Sequence, residues 1–523
     1  MLLFEADERS DLRQRSRMPA RRFTSLIFAL LALGPAHGAE TALPRTAPEA
    51  EGVDSRGVLA LLERFEARID AVHSLMLVRH GHVVAEGWWA PYSAADMHVM
   101  YSVDKSFIGT AVGLAQDEGL LDIDDRVVGF FPDRLPAQPA PFMMQMRIRD
   151  LLTMTTGHKS DMMPYLRARP GDDWTAGFLA TDVKFPPGTH FCYNSAGVYL
   201  LAAIVQQVTG QSVEDYLRPR LFDPLGISPR RWGKSREGVN EPGDLYITTE
   251  SLARFGLLYL QGGVWEGRRL LSADWVANAT AAQTSSGTGT GNWDAGYAFL
   301  FWRNPAGGFR ADGSLGQFCF VLPAYDAVLA VTSGTADTSG VMDAVWAELL
   351  PALHDGVLPA QPTADAELTR RLASLTLPVV SGRTAAPAGD RVSGRKYVFA
   401  PNAQGLQWTR LEFPDGHPLL TFADADGEHR IACGSGTWLR QRTGFKKRIN
   451  ELFDTPDQGL AASGAWIADD VFLAKLCFLE TPYILSAKFT FAGAQQLQLD
   501  MEYNVRWSER VQPTLAGVAA APE

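Results

Sequence analysis

The chain has 523 residues, a formal net charge of −11, 46% hydrophobic and 20% charged residues. That length fits two to four soluble domains with ample core, and the acidic balance excludes the basic footprint of a nucleic-acid binder. Cys192, Cys319, Cys433 and Cys477 are scattered without Cys-x-x-Cys or Cys/His spacing, so neither a metal site nor a cofactor is expected.

The first element in chain order is a leader. From Met18 the text reads MPARRFTSLIFALLALGPAHGAE. Arg21 and Arg22 form a positive start, Phe23 to Leu33 a short apolar run, and Ala36-His37-Gly38 a small-residue cleavage site. This is the anatomy of a secretory signal peptide, and the apolar run is too short to span a membrane. Residues 1–38 are therefore read as a leader, with Met18 as an alternative start, and the protein as exported to the periplasm or medium of a bacterium.

HSLMLVRHGHVVAEGWW, residues 73–89, predicts two strands around a tight turn at His80-Gly81-His82. Two histidines without a third ligand read as turn residues rather than a metal site. From Ser102 to Gly119 the pattern is apolar on most sides, which predicts a buried helix. Helical spacing recurs at 146–158, 196–210 and 248–263, strand signals return at 296–302 and 316–334, and a helix is predicted at about 339–350. Strands at both ends with helices between predict one sheet built from the two chain ends, with a helical insertion. Residues 39–356 form this first domain. Residues 357–390, rich in Ala, Pro and Thr, are read as a linker with one short helix. Residues 391–510 alternate at period two and predict a small antiparallel β-barrel-like domain, with 511–523 left as a tail. The fold class is α+β.

Three stretches carry chemistry. Ser102-Val103-Asp104-Lys105 opens the buried helix, where positions i and i+3 share a face. A lysine turned into an apolar junction is costly unless neutral or paired, and burial makes its amine a usable base. A serine helix cap with an exposed lysine fits those residues equally well. A second Ser-x-x-Lys, Ser393 to Lys396, has no helix after it. Tyr193-Asn194-Ser195 precedes another buried helix; Tyr193 alone reads as a packed ring, while Asn194 and Ser195 offer groups that orient a substrate. Finally, RADGSLGQFCFVLP, residues 310–323, places Gly313 and Gly316 around a turn into a strand, where backbone approaches a ligand closely. An ordinary strand-entry turn reads the same.

The order of these motifs resembles the beta-lactamase-related serine hydrolases, over roughly residues 50–350. That family includes class C beta-lactamases, D-alanyl-D-alanine peptidases, D-aminopeptidases, esterases and nylon-oligomer hydrolases. The resemblance implies a beta-lactamase/transpeptidase-like fold and a serine hydrolase cleaving a small or peptide-like ester or amide through an acyl-enzyme. It implies Ser102 as nucleophile, Lys105 and Tyr193 as the base system, and backbone N–H groups of Ser102 and Ser314 as the oxyanion hole. Asn194, Ser195, Asp312, Gly313 and Gln317 become substrate-binding candidates. Loops 158–182 and 230–247 are expected to wall the pocket. Ala311-Asp312-Gly313 replaces the cationic and hydroxyl third motif of the beta-lactam members, so penicillin turnover is expected to be poor. A beta-lactamase or D-alanyl-D-alanine peptidase/D-aminopeptidase is the alternative within enzymes. A catalytically inactive cell-envelope binding protein is the alternative outside them.

Overall fold

The computed structural model describes residues 42–521, apart from Thr288, Thr290, Lys447, Arg448, Glu451 and Pro456. The leader reading at 1–38 lies outside the described residues. From Leu43 onward the chain forms one compact unit. No helix among the described residues is long and apolar enough to cross a membrane.

A six-stranded sheet takes strands from both ends of the hydrolase segment, in the order His82–Trp88, Val72–Arg79, Ala327–Ser333, Gln317–Leu322, Phe309–Gly313, Trp302–Arg303. Every residue of Val72–Arg79, Gln317–Leu322 and Ala327–Ser333 is buried, as strands covered on both faces must be. The turn at 80–82 is the predicted one: His80 (φ 49°) and Gly81 (φ 81°) are both left-handed, the backbone of a two-residue hairpin. One sheet face packs on helix Ser55–Arg68 and helix Thr338–Ala344, the other on the helical region between residues 104 and 280.

Two predicted elements change. Residues 296–302 form only a short strand at Trp302–Arg303. Leu300 is left-handed at φ 61°, so Tyr297, Phe299, Leu300 and Phe301 fold into a buried aromatic plug; an all-apolar run carries no period to tell plug from strand. Of 146–158, only Ile148–Leu152 is helical, because Met154 turns left-handed at φ 58°.

The C-terminal ten-stranded antiparallel sheet curls until its end strands, Gly427–Ala432 and Leu439–Thr443, are neighbours. The Gln441 side chain bridges them, accepting from Ala432 N (3.1 Å) and donating to Ala432 O (2.7 Å). The tail assignment is corrected: Leu515–Ala519 is a strand between Lys396–Phe399 and Gln496–Tyr503, and the short Leu515-to-Ala519 stretch was too brief to read by alternation. The linker is built in as well. Helix Pro362–Ala373 packs near Gly87, where a Cβ would meet Leu375 and Leu372. Leu377 N donates to Ala90 O at 2.7 Å, and Trp438 Nε1 to Leu377 O at 3.1 Å. The β unit also shares its core with the hydrolase segment, since Val99, Tyr101, Tyr246 and Leu315 pack among barrel residues.

Candidate active site

Strand His98–Tyr101 runs into helix Asp104–Asp117 through Ser102 and Val103. Residues 104–115 of this helix are all buried. Gly113 allows the closest approach, since a Cβ there would lie 2.3 Å from the Trp275 ring. The helix N-cap is Val103, without a side-chain capping bond. Instead Lys105, 2% exposed, donates from Nζ to Ser102 Oγ at 2.9 Å. The cap-with-exposed-lysine alternative is excluded. The second Ser-x-x-Lys lacks this contact: Lys396 Nζ lies 4.5 Å from the centre of the Trp408 ring and Ser393 is exposed.

Tyr193 closes the other side. It lines the same cleft as Ser102, its ring centre lies 5.4 Å from Lys105 Nζ, and it stacks 6.0 Å from Trp302. Burial pushes both Lys105 and its neighbour Asp104 toward neutrality. The Lys105 amine falls below 10.5 although Asp104 and Asp161 pull it upward. Burial lifts the Asp104 carboxyl to about 7, against the pull of Lys105 and of backbone N–H groups, among them Gly243 N at 2.6 Å. The Tyr193 phenol is raised above 10, again by burial. A phenolate is therefore disfavoured there, and the amine is the group suited to take a proton.

Ser314 sits in the turn between Phe309–Gly313 and Gln317–Leu322. Gly313 brings that turn against the nucleophile strand: a Cβ would lie 2.3 Å from Met100 O. Buried Gln317 does not face substrate. Its Nε2 donates to Ser314 O (3.2 Å) and Ser333 O (2.8 Å), and its Oε1 accepts from Ser333 N (3.2 Å). It shapes the turn. Asn194 is also corrected. Fully buried, it donates from Nδ2 to Thr156 Oγ1 (3.3 Å) and accepts from Met162 N (3.1 Å) at Oδ1. Asp312 turns away to buried Arg310 (2.9 Å) and Trp293 Nε1 (3.0 Å), so it offers no like charge to an incoming carboxylate. Ser195 does line the cleft, its backbone N donating to Asp161 Oδ1 at 3.0 Å.

The cleft itself, about 620 Å³, holds Ser102, Lys105, Tyr193 and Ser314 together. Loops 158–182 and 230–247 wall it as expected, through Asp161, Met163, Pro164, Arg167, Pro242 and Gly243. The sequence reading missed the third wall, Leu452, Trp507 and Ser508 from the β unit. An isolated Trp in the stretch between two strands was its one trace. The β unit also holds the residue before the nucleophile. Tyr101 is left-handed at φ 46°, its hydroxyl donates to buried Tyr483 at 3.1 Å, and its ring meets the Trp507 ring edge-on at 5.0 Å.

The model of the family described as Beta-lactamase matches residues 62–352 of the chain. The chain belongs to the Beta-lactamase family. This family's members are serine hydrolases, and the protein is a serine hydrolase acting on amide or ester bonds. It is 32% identical over 299 residues to penicillin-binding protein 4 of Amycolatopsis lactamdurans, covering 49% of this chain and 77% of that one. To the 6-aminohexanoate-dimer hydrolase of Paenarthrobacter ureafaciens it is 28% identical over 292 residues, 50% of this chain and 73% of the other. The solved structure of a Bacillus anthracis protein provisionally named as a 6-aminohexanoate-dimer hydrolase superposes with a TM-score of 0.51 at 20% identity, over 61% of this chain and 89% of that one. This last likeness is one of fold. In this fold Ser102, Lys105, Tyr193 and Ser314 come together in one cleft.

Proposed function

We propose that this Beta-lactamase-family protein is an exported esterase or amidase for neutral substrates, working through an acyl-enzyme on Ser102. The observation that carries the chemistry is the 2.9 Å bond between buried Lys105 Nζ and Ser102 Oγ on the cleft floor.

Lys105, entering as the neutral amine, takes the Ser102 hydroxyl proton as Oγ bonds to the substrate carbonyl carbon. The carbonyl oxygen becomes an oxyanion between the backbone N–H groups of Ser102 and Ser314, an arrangement in which each donor is worth about 10²–10³ in rate. Collapse of the adduct expels the alcohol or amine. That leaving group takes a proton from the Tyr193 phenol, which is replenished from the Lys105 ammonium. Water then repeats the sequence in reverse: Lys105 accepts its proton, hydroxide attacks the acyl carbon, and Ser102 leaves reprotonated with the acid released. Neutral Tyr193 is the right donor for such a relay, because burial keeps the phenol protonated.

The preference for neutral substrates rests on charge pairing. The arginine lining the cleft, Arg167, faces Glu241 at 3.4 Å, and Ala311 of the third strand is buried and offers no donor. Export rests on the leader anatomy of residues 18–38. A fluorophosphonate probe tests the acyl-enzyme reading: one adduct mapping to Ser102, absent in Ser102→Ala and retained in Ser393→Ala, is the expected result. An adduct elsewhere, or none on active protein, overturns it. N-terminal sequencing of the protein from the periplasmic fraction tests export.

A further inference from the structure

The C-terminal β unit reaches the cleft at two points, Leu452 and Trp507. Both are large apolar side chains left open, 41% and 43% exposed. An apolar pair exposed on the rim of a cleft is a surface that gains by being covered. Both are held. Leu452 N donates to Asn450 Oδ1 at 3.2 Å. Asn450 is itself buried, with Nδ2 3.5 Å from Tyr246 OH. Phe453, next in the chain, lies under the Arg167 guanidinium at 5.0 Å. It also sits 3.3 Å from where a Cβ on Gly243 would be. The Trp507 ring abuts Tyr101. The two residues are therefore tied, through their neighbours, to the hydrolase segment that forms the rest of the cleft. Met163 and Pro164 line the same cleft from the hydrolase segment.

We propose that Leu452 and Trp507 determine specificity by capping the length of the apolar group that the cleft accepts, so that the substrate is a neutral ester or amide carrying a short-to-medium apolar chain. The inference rests on the acyl-enzyme reading and adds the substrate class to it. The physical reason is size exclusion. A pocket of this volume encloses a small molecule, and each methylene gained or lost against an apolar wall changes kcat/KM by about 10–200-fold. Shortening the wall side chains lengthens the permitted chain.

The test is a ratio measured within one protein. p-Nitrophenyl alkanoates from two to twelve carbons, and acetate esters of alcohols of the same lengths, are hydrolysed by wild type, Leu452→Ala and Leu452→Trp. The expected result is a tenfold or greater rise in the long-to-short kcat/KM ratio for Leu452→Ala in one of the two series. Leu452→Trp should lower it by a similar factor. Trp507→Ala should raise it too, and because that ring also touches Tyr101, only its ratio is read. Ratios within twofold of wild type in both series, for properly folded variants, overturn the proposal. Fluorophosphonate labelling of the same samples keeps the two claims apart. Labelling at Ser102 with unmoved ratios sinks the wall alone, whereas unlabelled wild type sinks the acyl-enzyme reading beneath it.

Discussion

Replacing Tyr483 with Phe removes one oxygen, far along the chain from Ser102, and should slow catalysis. Tyr101, immediately before Ser102, holds φ 46°. A bulky side chain in that region costs about 1–3 kcal/mol and persists only where its surroundings enforce it. Part of the enforcement is the hydrogen bond from Tyr101 to Tyr483, 3.1 Å long between two buried residues. A bond of that kind contributes about 0.5–1.5 kcal/mol, which is comparable with the strain it opposes. Without it, Tyr101 relaxes for part of the time toward an ordinary backbone and carries Ser102 Oγ out of line. A loss of roughly 1–2 kcal/mol in transition-state alignment corresponds to about a 5–30-fold fall in kcat. KM should change less than kcat, because Tyr483 itself does not line the cleft. The assay is steady-state hydrolysis of a short p-nitrophenyl ester, with the acylation burst read by stopped flow. Tyr101→Gly removes both the strained side chain and the hydroxyl that bonds Tyr483, so in that background the same Tyr483→Phe change should cost less than twofold. An equal loss in both backgrounds, or no loss in the native one, refutes the argument that strain at Tyr101 is what the β unit restrains.

Three further outcomes follow from the structure. Acylation should rise with pH as Lys105 loses its proton, on a limb centred below the ordinary lysine value because burial lowers it; Lys105→Ala and Tyr193→Phe should each be severe and their combination little worse, and additive losses would argue against a shared proton path. Buried His98, which contacts His73 at 3.0 Å, is held down to about 4 by burial; an unfolded histidine titrates near ~6.5, so the neutral form supports the fold above that pH, and roughly 3 kcal/mol is lost as pH falls through the window from 6.5 to 4. Urea midpoints for wild type and His98→Gln at pH 7.5, 5.5 and 4.5 should converge on acidification, and parallel curves would count against this. Finally, a chain ending at Pro362 should not retain activity, contrary to what a flexible linker implies, since it strips the partners of Val99, Tyr101, Tyr246 and Leu315; a soluble, fully active truncation would show that the shared core is dispensable.

The fold class was legible in the amino-acid sequence, whereas the residues of the Ser102 motif alone fitted a helix cap equally well. Residues 102–119 are apolar on most sides, which predicted a buried helix, and the structure then placed Lys105 Nζ on Ser102 Oγ. Helical periodicity and paired strands at both ends of the hydrolase segment made the sheet legible for the same reason: a covered element repeats with the period of its backbone. Tertiary contacts alone set which polar residues face the cleft and which bond inside the protein. Asn194, Asp312 and Gln317 occupy motif positions, yet each hydrogen-bonds partners within the protein, because side-chain direction depends on partners brought from distant segments. The short run at 296–302 became a plug because one left-handed residue, Leu300, is set by packing and not by propensity. Leu452 and Trp507 reach the cleft, more than 340 residues along the chain from Ser102, only because the barrel and the hydrolase segment share a core around Tyr101. A spacing that long leaves no periodic trace: the contact is set by how the two sheets dock, and no local pattern encodes that.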